Sequence, residues 1–94
     1  TMLALKKISP TRLIKNELFA KIAEAESRGA EADELRELLG RAASKRGIFE
    51  GDLQNGELEI GQIASTIKEV KPVAQIMHEL ITDFHTTQSK IQSL

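Results

Sequence analysis

The chain has no cysteine, tryptophan or tyrosine, and only three phenylalanines among its 94 residues. Without thiols there are no disulfides and no thiolate metal sites, so a chain this short depends on its own small core or on a partner. The lack of cysteine fits a cytoplasmic protein. So few aromatics argue against base-stacking platforms and aromatic-anchored binding surfaces. An excess of charge of either sign is also missing, with 13 basic and 14 acidic residues. A nucleic-acid partner is therefore not expected, because such binders need a basic surface to release counterions from phosphates. No apolar run approaches the roughly 20 residues that span a bilayer, so no membrane partner is expected. In the opening run Thr1-Met2-Leu3-Ala4-Leu5 the lysines follow the apolar residues, the reverse of a secretory signal. A start at Thr-Met, already apolar, reads as an internal boundary in a longer protein, with a cloning remnant as the alternative.

What the sequence does contain is helical periodicity. Residues 1–8 read as an extended lead-in. Ser9-Pro10 then offers a hydroxyl cap and a proline suited to a first helical position. Leu13, Ile14, Leu18 and Ile22 recur at helical spacing, which predicts a helix over 9–28 with Gly29 as its left-handed stop. A second helix is predicted over 32–46, with Leu35, Leu38, Leu39 and Ala42 buried. Gly40 inside it marks either a close helix contact or a break, since an internal glycine costs about 1 kcal/mol against alanine. Residues 47–71 form a glycine-rich connector in which Asn55-Gly56 is a turn signal. Within it, Glu57 to Ile60 alternates like a short strand and Gln62 to Ile67 could form a short helix. The clearest element is a helix over 72–92, with Val73, Ile76, Met77, Leu80, Ile81, Phe84 and Ile91 on one stripe. The expected architecture is all-α, one domain over 1–94 with three main helices and a glycine-rich connector.

The residues alone name no reaction. His78 and His85 lie two turns apart on the last helix, about 10 Å, too far to share a metal. Glu57 and Glu59 would face the same way on an extended segment, but nothing nearby supplies a cleft, so they read as a solvated edge. The glycines match neither a dinucleotide fingerprint nor a phosphate loop. No nucleophile-base pairing can be inferred from Ser9, Ser44 or Ser65. Lys6, Lys7, Arg12 and Lys15 form a positive run that reads as a solvated face or as salt-bridge partners.

Three stretches nevertheless suggest a family. Lys7-Ile8-Ser9-Pro10-Thr11-Arg12-Leu13-Ile14-Lys15-Asn16 resembles the segment that follows the last barrel strand in nitronate monooxygenases (formerly 2-nitropropane dioxygenases) and flavin-dependent enoyl-ACP reductases. Gly51-Asp52-Leu53, followed by Gly56-Glu57-Leu58-Glu59-Ile60-Gly61-Gln62-Ile63-Ala64, is similar to the family's Gly-Asp segment, acidic linker and Gly-Gln motif. Glu34-Leu35-Arg36-Glu37-Leu38-Leu39-Gly40 looks like the bacterial branch. The resemblance runs from about Leu5 to about Phe84, and it rests on the order and spacing of short motifs.

This resemblance implies the C-terminal helical subdomain of an FMN-binding TIM-barrel oxidoreductase. The barrel, with its phosphate loops and catalytic histidine, would lie upstream. A barrel needs roughly 200 residues or more, so this chain does not hold one. By resemblance, Gly61, Gln62 and Ser65 would line or cover the substrate pocket, with Ser65 to Lys71 as a lid. No catalytic, cofactor-binding or metal-binding residue is expected on this chain. FMN would belong to the parent enzyme, whose substrate would be a nitronate or an enoyl thioester. The chain's partners would be the missing barrel and the small-molecule substrate. The alternative is a stand-alone helical protein–protein interaction module without catalysis, whose apolar last helix seats a partner. The subdomain reading expects exposed apolar surface around Met2, Leu3, Leu5, Ile60 and Ile63, and a possible homodimer.

Overall fold

A computed structural model describes residues 1–94. The chain is mostly helical, but it opens with a β-hairpin, which corrects the all-α expectation. Strands β1 (Met2–Ala4) and β2 (Thr11–Leu13) pair antiparallel, with Met2 opposite Leu13 and Ala4 opposite Thr11. The chain reverses at Leu5, which takes a positive φ of 57°. That conformation is costly for a branched side chain and needs support from its surroundings. Support comes from both sides of the residue. The Leu5 amide donates to the Glu26 carboxylate at 2.7 Å, and its side chain lies in the core.

The predicted strand alternation at Glu57 to Ile60 extends this sheet. Leu13 and Glu59 form an antiparallel bridge. The Ile14 amide donates to the Leu58 carbonyl, and the Ile60 amide donates to Arg12, both at 3.0 Å. The hairpin's second strand is thereby bonded along both edges, which pulls the end of the connector back onto the start of the chain.

Helix α1 runs Glu17–Ser27, not from residue 9. Ser9-Pro10 belongs to the hairpin loop, because the residues after it are bonded into β2. Asn16 is the cap instead, its side-chain oxygen accepting from the Phe19 amide at 2.9 Å. Gly29, with φ of 80°, ends the helix as expected from its freedom at positive φ.

The helix predicted over 32–46 is two helices, α2 (Ala32–Leu39) and α3 (Ala43–Ile48). The break falls at Gly40, whose φ of 65° only glycine adopts freely, and Ala42 follows in the left-handed region. The Arg46 guanidinium bridges the gap by donating to the Leu39 carbonyl at 3.2 Å.

One core holds this part together: Ala4, Leu5, Leu13, Leu18, Phe19, Ile22, Ala25, Ala30, Leu35 and Ala43. Every one of these residues precedes Ser44. After Ile60 the chain leaves the core. A 3-10 helix spans Gln62–Thr66, and α4 spans Val73–Gln92. Neither has a buried residue. The molecule is accordingly long, measuring 53 × 32 × 17 Å, with a radius of gyration of 18.0 Å. A compact domain of this length would have a radius of gyration of about 12 Å.

Candidate functional site

Gly61, Gln62 and Ser65 fall on the turn that leads from the globular body to the α4 arm. Gly61 has extended backbone (φ −74°) at the N-terminal end of the 3-10 helix, and its carbonyl accepts from the Ala64 amide at 3.2 Å. Further on, the Thr66 hydroxyl donates to the Ile63 carbonyl at 2.7 Å, and Lys68 Nζ donates to the Ser65 carbonyl at 2.9 Å. These local bonds, three or fewer residues apart, define the turn without help from the body. All three candidate residues are exposed.

Geometry separates the three. Gly61 lies at the rim of an open cleft of about 570 Å³, shared with Ser9 of the hairpin loop, Thr11 and Arg12 of β2, and Glu59. Gln62 and Ser65 do not reach this cleft. A second cleft, of about 350 Å³, lies between the connector and α4, lined by Thr66, Ile67, Lys68, Lys71 and Glu79 among others. It does not include them either. A Cβ built on Gly61 would meet nothing within 4 Å, and its φ suits any residue. Within this chain, then, no backbone approaches Gly61 and nothing there requires glycine.

Lys71 anchors the connector to α4. Its ammonium lies 2.8 Å from Glu79 and 3.2 Å from Glu69. Hydrogen bonding to Glu79, then to Glu69, raises the Lys71 pKa, and the same contact, with Gln75 in support, lowers that of Glu79. Both side chains are partly solvated, so the pair is a screened surface contact and not a reactive dyad.

The Gly51-to-Gly56 motif proves to be structural. Asn16 Nδ2 donates to the Leu53 carbonyl at 3.0 Å and to the Gly56 carbonyl at 2.9 Å, while its Oδ1 caps α1. The Asp52 carboxylate accepts from the Asn55 and Gln54 amides, at 2.9 and 3.2 Å. The bond from Asn55 is the main cause that holds the Asp52 pKa below its usual value. A Cβ on Gly56 would run into the Gly47 backbone and the Asp52 carbonyl, and one on Gly47 into the Leu58 side chain and the Glu57 carbonyl, so neither position has room for one. These glycines allow two backbones to cross. The signal for Asn16 was present in the sequence: an asparagine, an acid at the next position, and a helical apolar stripe starting at Leu18.

Other candidates resolve as surface or structural groups. Glu57 accepts from the Ser44 hydroxyl at 3.0 Å, which occupies both, while Glu59 is exposed. Lys7 is paired with Glu31 at 2.8 Å. His78 and His85 are exposed, and the His85 ring meets Phe84 edge-on with centroids 5.4 Å apart. No group of histidines and carboxylates is arranged to hold a metal ion. No helix is long and apolar enough to cross a membrane.

The expected apolar surface is exposed only in part. Met2, Leu3 and Ile63 are exposed, but Leu5 is buried in the core and Ile60 is half-buried beside β2. Leu5 is drawn inward by the hairpin, and Ile60 by the bonds that residues 58–60 make to β2.

No protein-family model matches the sequence, and no curated protein matches it.

The residues around Gly61 do not by themselves fit a flavin. The cleft there is open and carries both the Arg12 guanidinium and the Glu59 carboxylate, so it offers a phosphate group no net positive charge. No chemical step is therefore derived through FMN on this chain.

Proposed function

We propose that this chain is the C-terminal helical subdomain of an FMN-dependent oxidoreductase, nitronate monooxygenase-like or enoyl-ACP reductase-like, in which the segment from Gly61 to Lys71 covers the substrate pocket. The observation that carries this reading is the state of that segment. It is a locally ordered turn whose Ile63, Ile67 and Val70 side chains are exposed, at 74%, 70% and 103%, with Ile67 at the open cleft beside α4. Apolar side chains held in this way are what a lid presents to a pocket supplied by another body. Gln62, exposed next to Ile63, offers two donors and an acceptor. The resemblance of the ordered motifs from Lys7 to Ala64 supports a flavin barrel as that other body. In this reading the flavin supplies the redox chemistry, and the chain's own residues position substrate and exclude water. The isolated chain is inactive.

The second reading, a stand-alone interaction module, is favoured by α4, which has an exposed apolar stripe and no buried residue. The two readings differ in a spectrum. The protein expressed with its upstream sequence should carry flavin absorption near ~450 nm. It should also consume oxygen with a nitronate or reduce an enoyl thioester with a nicotinamide. Gln62→Ala in that protein should raise KM about tenfold or more, with flavin content unchanged. A colourless full-length protein would sink the flavoenzyme reading and leave the interaction module.

A further inference from the structure

The apolar stripe of α4 has a spacing of its own. Within the apolar face of α4, which also carries Ile76 and Ile81, the residues Val73, Met77, Leu80, Phe84, Thr87 and Ile91, with Leu94 just past the helix end, follow one another at alternating steps of four and three. This is the repeat of about 3.5 residues that keeps one seam of a helix against another helix along its length. The seam is open throughout. Its apolar members within the helix are between 51% (Met77) and 75% (Val73) exposed.

We propose that this seam binds the α4 helix of a second copy of the chain, antiparallel. The charges beside the seam choose that occupant and that direction. Asp83 and Lys90 lie on the same flank, two turns apart, and neither is among the chain's own ion pairs. In an antiparallel pair with Leu80 opposite Ile91 and Phe84 opposite Thr87, each Asp83 meets the Lys90 of the other copy. Symmetry makes the pairing twice. One heptad along, Asp83 would face its own symmetry mate, a like-charge contact that opposes that register. A parallel pair would set Asp83 against Gln88 and leave Lys90 without an acid. It would also bring both globular bodies, each joined to the start of α4, to the same end of a helix about 30 Å long. The antiparallel pair sends them to opposite ends. The seam belongs to α4 and the lid face to the connector, so this inference does not depend on the flavoenzyme reading.

The chain's lack of cysteine gives a clean test. Sedimentation equilibrium of the 94-residue chain should give a mass rising with concentration toward twice 10.4 kDa. Leu80→Asp should hold it at the single-chain mass. The core-forming body should remain folded, since α4 contributes nothing to that core. Asp83→Lys and Lys90→Asp should each weaken association severalfold, and the two together should restore it. Met77→Cys alone should not cross-link, whereas a mixture of Leu80→Cys and Ile91→Cys chains should form a disulfide-linked pair under mild oxidation. A monomer at every concentration, with α4 helical by circular dichroism, would overturn the proposal and assign the seam to a different protein. Ready cross-linking of Met77→Cys to itself would overturn the antiparallel arrangement.

Discussion

Asn16 joins two distant parts of the chain through one side chain. Its oxygen caps α1, and its amide nitrogen holds the carbonyls of Leu53 and Gly56. Removing it opens both ends of this clamp. A lost cap costs about 1 kcal/mol, and unmet carbonyls at a partly buried position add about 1–3 kcal/mol. Asn16→Ala should therefore lower stability in urea by about 2–4 kcal/mol. Asn16→Asp keeps the cap but replaces the donor with an acceptor facing two carbonyls. It should cost at least as much as alanine. A near-neutral Asn16→Asp would mean the clamp contributes little. Asp52 acts more locally. Its lowered pKa means that it stabilises the 52–55 turn above the ordinary carboxylate range, and that this contribution fades as pH falls below about 4.

Helices of similar appearance have opposite standing. Helix α2 is short, yet its Leu35 is fully buried against α1, and Arg28 ties the two helices by reaching Glu24 at 2.7 Å and Glu34 at 3.0 Å. Helix α4 is more than twice as long and buries nothing. Length does not measure contribution to the fold; removal of apolar surface from water does. Leu35→Ala should cost about 2–5 kcal/mol by loss of packing and a residual cavity. Leu80→Ala, measured on dilute protein, should stay within about 0.5 kcal/mol. Paired urea titrations followed by circular dichroism would check both. Equal losses would show that α4 packs on the body after all.

At the scale of the whole molecule the chain is a small core with an uncovered arm. All of the core lies before Ser44, and the arm begins after Ile60. An isolated helix of 20 residues is marginal in water, so α4 depends on whatever it packs against. Hydrogen exchange on dilute protein should accordingly show strong protection at Ile22 and Leu35 and little across residues 73–92. Deleting the chain after Gly61 should leave the unfolding midpoint of the body within a few degrees of the intact chain. A large fall would contradict the division into body and arm.

Much of this was legible in the sequence because it follows from local chemistry. The Val73–Gln92 helix, the stop at Gly29, the 3-10 turn after Gly61 and the turn at Asn55-Gly56 depend on residues close in the chain. The start of α1 was misplaced because Ser9-Pro10 and Asn16 both carry start signals. The choice between them is made by the pairing of Thr11–Leu13 with Met2–Ala4 and with residues 58–60, contacts that local propensity does not contain. The same pairing buries Leu5 and half-buries Ile60, both expected at the surface. At Gly40 the sequence offered two outcomes, and the structure takes the break. Composition determined the small core, the absence of thiol chemistry and the near-neutral surface. Tertiary structure alone decided that Gly51 to Gly56 serves the fold, since its partners, Asn16 and Gly47, reach it only when the chain folds back on itself.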